Sequence, residues 1–312
     1  MNKGRNLAEG GIMLALYTIL LFITLYVPFI GTVLMFVLPV PFALIALKQN
    51  LKWSFLFLAA SVFINIILMF AAIPVTVMFG LIGITIGYYI QCNKSQLQMY
   101  IISVLIFIFG ILSIFIGSIV LLDTNYIEET INMVESSLEQ SDQMLTALGQ
   151  DEGVTETISQ NLELVQTIMP SFLVICSIIM VGIIFLVCKP IINRFSDKKL
   201  VIGKVRDMQL PKSLLWYYLI IMISSLFFSE EDGQLIYTFF VNGIYLLQFL
   251  ILLQGFSFIF YFSNVKGWVK GIPITVVILS VLLPFAPFVR ILGIIDLGVS
   301  NSSPKELVAS RS

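Results

Sequence analysis

Apolar residues run along this chain in long blocks, at 7–30, 33–47, 53–72, 74–91, 97–122, 168–189, 214–229, 235–262 and 272–295. Most approach the roughly 20 residues that a helix needs to cross a hydrocarbon core. The pattern predicts an all-α, polytopic transmembrane bundle of about nine spans, with eight to ten allowed by the block ends. Two blocks carry their own interruptions. Pro39 and Pro41 sit inside the short second block and Pro28 ends the first, so the second span is expected to be broken rather than a regular helix. Pro284 and Pro287 predict a break in the last block, where a half-crossing segment that turns back would return the tail to the side it came from.

Between the fifth and sixth blocks lies the longest polar stretch, 123–167, and its polarity is patterned. Ile127, Ile131, Val134, Leu138, Leu145 and Leu148 follow steps of four and three, with Ser141 at the one polar step. After Gly149 to Gly153, the residues Val154, Ile158, Leu162, Val165 and Met169 resume the same spacing. Two apolar stripes joined by a turn predict an antiparallel helical hairpin that continues the fifth and sixth spans beyond the membrane by roughly 35 Å at 1.5 Å per residue. A disordered acidic loop is the alternative, but such a loop has no reason to keep a stripe.

Composition agrees with the pattern: 59% of the 312 residues are hydrophobic and 11% charged, against about a quarter charged in soluble proteins. A net charge of −1, with no basic block interleaved with aromatics, excludes a nucleic-acid partner. The placement of charge is more informative than its sum. Lys3 and Arg5, Lys48 and Lys52, Lys94, the cluster from Lys189 to Lys212, and Lys266 with Lys270 fall in every second connection. By the positive-inside rule these connections and the N-terminus are cytoplasmic. The hairpin at 123–167 holds ten of the eighteen acidic residues and no Lys or Arg, which makes it extracytoplasmic. The first block is long and directly followed by others, as expected of an uncleaved first helix. Residues 193–215 mix Arg194, Lys198, Lys199, Lys204, Arg206 and Lys212 with Leu200, Val201, Val205, Met208 and Leu210. They read either as a basic amphipathic segment on the membrane surface or as a solvated linker.

The chemistry open to these residues is narrow. The chain contains no histidine, which removes Ser-His-Asp and Cys-His nucleophile arrangements and the HExxH zinc site. No GxxxxGK[ST] loop is present, so any ATP-derived energy must come from a partner. Cys92, Cys176 and Cys188 are spaced neither as a disulfide framework nor as a metal site. An enzyme is therefore not expected, and neither is a cofactor or a metal. Ionisable residues within the blocks reduce to Glu9, Arg290 and Asp296. Asn65, Thr76, Ser171 and Ser177 fall in the outer half of the third, fourth and sixth blocks, where they either converge on a small ligand or tie helices together. Asn242, Gln248 and Gln254 in the eighth block invite the same two readings. Small residues mark close approaches: Gly80, Gly83 and Gly87 on the fourth block, and Ala8, Gly11 and Ala15 on the first.

The opening Leu7-Ala8-Glu9-Gly10-Gly11-Ile12-Met13-Leu14-Ala15-Leu16, then Pro28, the Pro39-Val40-Pro41-Phe42 break and the closing Gly293-Ile294-Ile295-Asp296, resemble the YybS-type family of uncharacterised bacterial multi-pass membrane proteins. The first six helices of that family are in turn distantly similar to the S components of energy-coupling-factor transporters. The resemblance implies a substrate pocket open to the outside within the first 190 residues. It also implies a small-residue face on helix one, here Ala8, Gly11 and Ala15, that docks onto a transmembrane coupling subunit with its ATPases. The long insertion before the sixth span and the spans after Lys189 have no counterpart in a minimal S component. The organisation expected is a six-helix membrane domain at 1–190 including the hairpin, a basic cytoplasmic connector at 191–213 and C-terminal membrane helices at 214–312. The function expected is a membrane-embedded solute-binding or transport component lacking its own ATPase. The alternative is a membrane scaffold that holds proteins of the bacterial cell envelope.

Overall fold

A computed structural model describes residues 3–122, 129, 133, 136–137, 153–196, 198–228, 233–269, 271–282 and 285–298. Among these residues the secondary structure is entirely helical. The helices are α1 (Lys3–Tyr26), α2 (Ile30–Leu34), α3 (Pro39–Lys48), α4 (Leu51–Leu68), α5 (Ile73–Gln91), α6 (Gln96–Leu122), α7 (Gly153–Phe195), α8 (Ser213–Ser225), α9 (Gln234–Val265), α10 (Gly271–Leu282) and α11 (Ala286–Gly298). Among the described residues, seven segments are long and apolar enough to cross a membrane: Leu7–Tyr26, Ile30–Lys48, Leu51–Leu68, Phe70–Gln91, Gln96–Val120, Gln166–Phe195 and Gln234–Val265. The remaining two apolar blocks form shorter helices. With 13 residues, α8 is about 20 Å long and falls short of a regular span. The last block is split into α10 and α11, which flank 283–285.

Each break follows from proline chemistry. Proline lacks a donor and is tolerated in a helix's first turn, where N–H groups have no intrahelical partner. Pro39 and Pro41 occupy the first turn of α3, Pro74 that of α5 and Pro287 that of α11. The second span therefore runs as α2, a 3-10 turn at Met35–Val37, and then α3. Pro284 lies outside the described residues. The first arm of the expected hairpin also lies largely outside them. The second arm is helical from Gly153 and continuous with the sixth span through all 43 residues of α7.

The chain divides into two units, Met1–Thr155 with Cys176–Ile202, and Glu156–Ile175 with Gly203–Ser312. In the first unit every residue of α3 from Pro39 to Leu47 is buried, as expected of a helix that is apolar all round. It packs against α5 through glycines: a Cβ on Gly83 would lie 2.2 Å from the Pro39 carbonyl oxygen and one on Gly87 2.4 Å from that of Ala43. The equal step of four on both helices shows that α3 and α5 run parallel, as alternate spans must. Tyr17, Phe42 and Phe57 join α1, α3 and α4 edge to face, with centroids 4.9 and 5.0 Å apart.

In the second unit α8 runs antiparallel to α9. Tyr218 meets Gln248, Ile221 lies against Gly243 and Phe228 stacks on Phe240. Helix α11 crosses α9 at a pair of glycines, since a Cβ on Gly255 would sit 2.2 Å from the Val289 carbonyl oxygen and one on Gly293 2.2 Å from that of Ile251. The basic stretch after Phe195 is not an amphipathic helix. Its described residues 198–212 carry one 3-10 turn, Val205–Asp207, flanked by extended Lys204 and Met208, and side chains bind its backbone: Leu210 N–H donates to Gln254 Oε1 at 3.0 Å, and the Ser257 hydroxyl donates to the Met208 carbonyl at 2.8 Å.

Candidate functional site

In the first unit, three helices bring their polar side chains to one buried point. Thr76, in the second turn of α5, donates its hydroxyl proton to the Ala72 carbonyl at 2.8 Å. That leaves two lone pairs, and both are used. The Tyr17 hydroxyl of α1 donates to Thr76 Oγ1 at 2.6 Å, and Asn65 Nδ2 of α4 donates to the same oxygen. All three residues are buried to about 1% exposure or less, which decides that their polar atoms cannot rely on bulk water. The Thr76 hydroxyl is saturated. Among the described residues no donor reaches the Asn65 side-chain oxygen.

That asparagine borders a crevice between α1 and the last turns of α4, lined also by Thr18, Leu21, Phe22, Tyr26 and Met69. Its volume of about 10 Å³ has room for roughly one water molecule. Phe22 and Tyr26 stack at 5.3 Å along the α1 wall. The crevice lies near the α1–α2 turn, at the end of the unit whose connections carry no Lys or Arg. The sequence pairing of Asn65 with Thr76 is realised here. Tyr17 was missed, because a lone tyrosine in an apolar helix is indistinguishable from one placed for packing.

The other two expected ligand residues do not share this point. Ser177 is buried in the part of α7 assigned to the first unit, at 1% exposure. Ser171 belongs to the second unit, where it takes part in a repair. Pro170 interrupts α7 and displaces the hydrogen bond that Ser171 N–H would make to the Thr167 carbonyl. Asn242 of α9 replaces it from both sides. Its Oδ1 accepts from Ser171 N–H at 2.7 Å, and its Nδ2 donates to the Thr167 carbonyl at 2.7 Å. The Ser171 hydroxyl itself donates to Ile168 at 2.8 Å.

Two further amides of α9, Gln248 and Gln254, are equally committed. Gln254 Nε2 donates to Asp296 Oδ2 at 2.5 Å while its oxygen serves Leu210, and Gln248 Oε1 accepts from Arg290. Asp296 and Arg290, the intramembrane charges of the last block, thus face α9. A groove of about 750 Å³ between α9, α10 and α11 is walled by Phe258, Phe262, Trp268, Phe285 and Phe288. Its one hydroxyl, Ser280, donates to the Val277 carbonyl at 2.8 Å. This groove offers van der Waals contact and no directed polar group. Among the described residues no cluster of His, Cys, Asp or Glu could hold a metal ion.

The docking residues expected on α1 are accessible. Ala8, Gly11 and Ala15 are exposed, and nothing lies within 4 Å of a Cβ placed on Gly11. By contrast, Gly80, Gly83 and Gly87 are spent on internal packing, with a Cβ at Gly80 2.5 Å from Leu58 Cδ1.

Long apolar helices and glycine-lined crossings define a polytopic α-helical membrane protein. The chain belongs to the family described as "Predicted membrane protein (DUF2232)", which matches residues 15–297. It is 32% identical over 303 residues to "Uncharacterized protein YybS" of Bacillus subtilis (strain 168), covering 96% of this chain and 97% of that protein. The resemblance read from the opening and closing segments therefore extends over nearly the whole chain. No solved structure matches it.

Proposed function

We propose that this chain is the solute-binding component of a membrane transporter and works without an ATPase of its own. The observation that carries the reading is the buried junction of Tyr17, Asn65 and Thr76 beneath a crevice at the lysine-free end of the first unit, with the Asn65 oxygen uncommitted. By the distribution of Lys and Arg that end faces outward. A site built from hydroxyl, amide and aromatic groups suits a small, uncharged or weakly polar solute held by one or two directed hydrogen bonds within apolar walls. As described, the crevice is closed around about one water, so uptake needs α1 to move. Helix α1 is suited to this, because only 11% of its span is buried, against 61% for Ile30–Lys48 and 56% for Phe70–Gln91. The side of α1 that bears Ala8, Gly11 and Ala15 is open, which fits docking onto a transmembrane coupling subunit with ATPases, as in the S components of energy-coupling-factor transporters.

Gentle-detergent purification from the native membrane, followed by mass spectrometry of retained small molecules and proteins, tests the reading. The expected result is a small solute that is retained by the wild type, lost with Asn65→Leu, and recovered together with a coupling subunit. Recovery of neither would overturn it. A second reading, a membrane scaffold for cell-envelope proteins, is favoured by the length of α7, which continues as a helix beyond its apolar span. Between Gly153 and the start of its apolar span at Gln166, this helix extends about 20 Å at 1.5 Å per residue. Recovery of envelope proteins with the intact chain, and their loss when 123–167 is shortened, would select that reading.

A further inference from the structure

The opposite end of the first unit holds a second cavity, with different chemistry. It lies between the α5–α6 connection and the segment that follows α7, has a volume of about 310 Å³, and has Lys94, Lys198 and Lys199 among its lining residues. Its walls are fixed by local backbone chemistry. Helix α5 ends with Asn93 in the left-handed region at φ 51°, Asn93 N–H donating to Ile90 at 3.3 Å and Lys94 N–H to Tyr89 at 3.0 Å. This is the six-to-one and five-to-two pairing of a Schellman cap. On the other wall Asn193 clamps Leu200 by both amide atoms, accepting from its N–H at 2.6 Å and donating to its carbonyl at 3.2 Å. Leu200 and Met99 are buried, at 1% and 2% exposure, which makes the floor apolar while the lysines stay at the rim.

Among the described residues, neutral groups orient two of these cations. Lys94 Nζ donates to the Tyr88 hydroxyl at 3.1 Å and lies 4.6 Å from the centre of that ring. The hydrogen bond it donates to the Tyr88 hydroxyl pushes the Lys94 ammonium pKa up. Lys198 Nζ donates to the Gln91 carbonyl at the C-terminus of α5, where a helix favours positive charge. Lys199 has no partner among the described residues. No carboxylate among the described residues lines the cavity. In the sequence from 189 to 206 there are six basic residues and one acidic residue, Asp197, which lies outside the described residues.

We propose that this cavity is a phosphate-binding site. Its three ammonium groups take the phosphate of either an anionic phospholipid headgroup or a soluble phosphate ester. The rim supplies charge-assisted donors, and the wall of Tyr89, Ile90, Met99 and Val201 covers the organic part next to the phosphate. The site is independent of the solute-binding reading, since it lies among different residues and uses charge rather than neutral hydrogen bonds.

The test is thermal unfolding of the full-length protein in detergent, titrated separately with phosphatidylglycerol, phosphatidylcholine and glycerol 1-phosphate. Phosphatidylglycerol is expected to raise the melting temperature and phosphatidylcholine to leave it nearly unchanged. A matching rise with glycerol 1-phosphate assigns the site to soluble esters; its absence assigns it to lipid. Lys199→Gln, whose side chain ties down no other group, is expected to weaken the response about tenfold in concentration. Lys52→Gln, exposed and outside the cavity, is expected to leave the response unchanged. If neither phosphate probe shifts the melting temperature, or if Lys199→Gln and Lys94→Gln both respond as the wild type does, the proposal is wrong.

Discussion

The two units handle buried polarity in opposite ways. In the second, three amides of α9 are each stretched between two partners on other segments: Asn242 across the Pro170 break, Gln254 between Leu210 and Asp296, and Gln248 between Arg290 and Tyr218. Every such group ties elements together and has little capacity left. In the first unit Tyr17 of α1 and Asn65 of α4 are pooled on the Thr76 hydroxyl of α5 beside a crevice, and the pool retains an acceptor. Hydrogen bonds in a membrane interior either consolidate packing or remain available to a ligand. The difference locates the binding reading in the first unit and makes the second a structural companion.

Both units nevertheless depend on glycine at their tightest crossings, and the largest effects are expected there. A Cβ at Gly83 or at Gly293 would stand 2.2 Å from a backbone oxygen, which no side-chain rotation relieves. Gly83→Ala and Gly293→Ala are each expected to cost about 3 kcal/mol, read as a loss of folded protein in detergent by thermal unfolding. Gly80→Ala is expected to be milder, because its nearest neighbour is the flexible end of Leu58. Equal losses at all three positions would show that backbone contact is not what sets the crossing.

Next in size is the repair at Pro170. Asn242→Leu strands Ser171 N–H and the Thr167 carbonyl, and is expected to cost about 2 kcal/mol. If the repair is the asparagine's role, the cost shrinks when Pro170→Ala restores the helical donor, because Ser171 and Thr167 can then pair with each other. A double-mutant cycle measures this coupling. Additive effects of the two changes would remove the link between the kink and the amide. Smaller again, Tyr17→Phe removes one donor from a hydroxyl that keeps two other bonds, and about 1 kcal/mol is expected. The comparison between the units sharpens if Tyr17→Phe and Asn65→Leu alter solute retention while Asn242→Leu alters stability alone.

Much of this architecture is legible in the sequence because its causes are local. Apolar block length gives the spans, prolines give the breaks of the second and last blocks, and the stripe at Val154, Ile158 and Leu162 gives the helical continuation of the sixth span. The Gly80, Gly83 and Gly87 spacing marks a packing face, although only the structure shows that α3 fills it. What stayed hidden depends on residues far apart in the chain. Tyr17 and Thr76 are 59 positions apart, and Asn242 lies 71 from the serine whose backbone it completes. Neither partnership leaves a periodic trace. The partners of the basic stretch after Phe195 were hidden for the same reason: Asn193, Gln254 and Ser257 bind its backbone at Leu200, Leu210 and Met208.

The smallest expected effect on stability carries the most information about function. Gly11→Leu and Ala15→Leu enlarge exposed positions on α1, and a Cβ at Gly11 meets nothing within 4 Å, so the isolated protein is expected to unfold within about 0.5 kcal/mol of the wild type. The same substitutions would fill a small-residue face that a partner helix needs for close approach. Copurification of a coupling subunit is therefore expected to fall sharply while the melting temperature holds. Should copurification survive both substitutions, helix one is not the docking face. The open side of α1 would then be ordinary lipid-facing surface, and the transport reading would rest on the crevice alone.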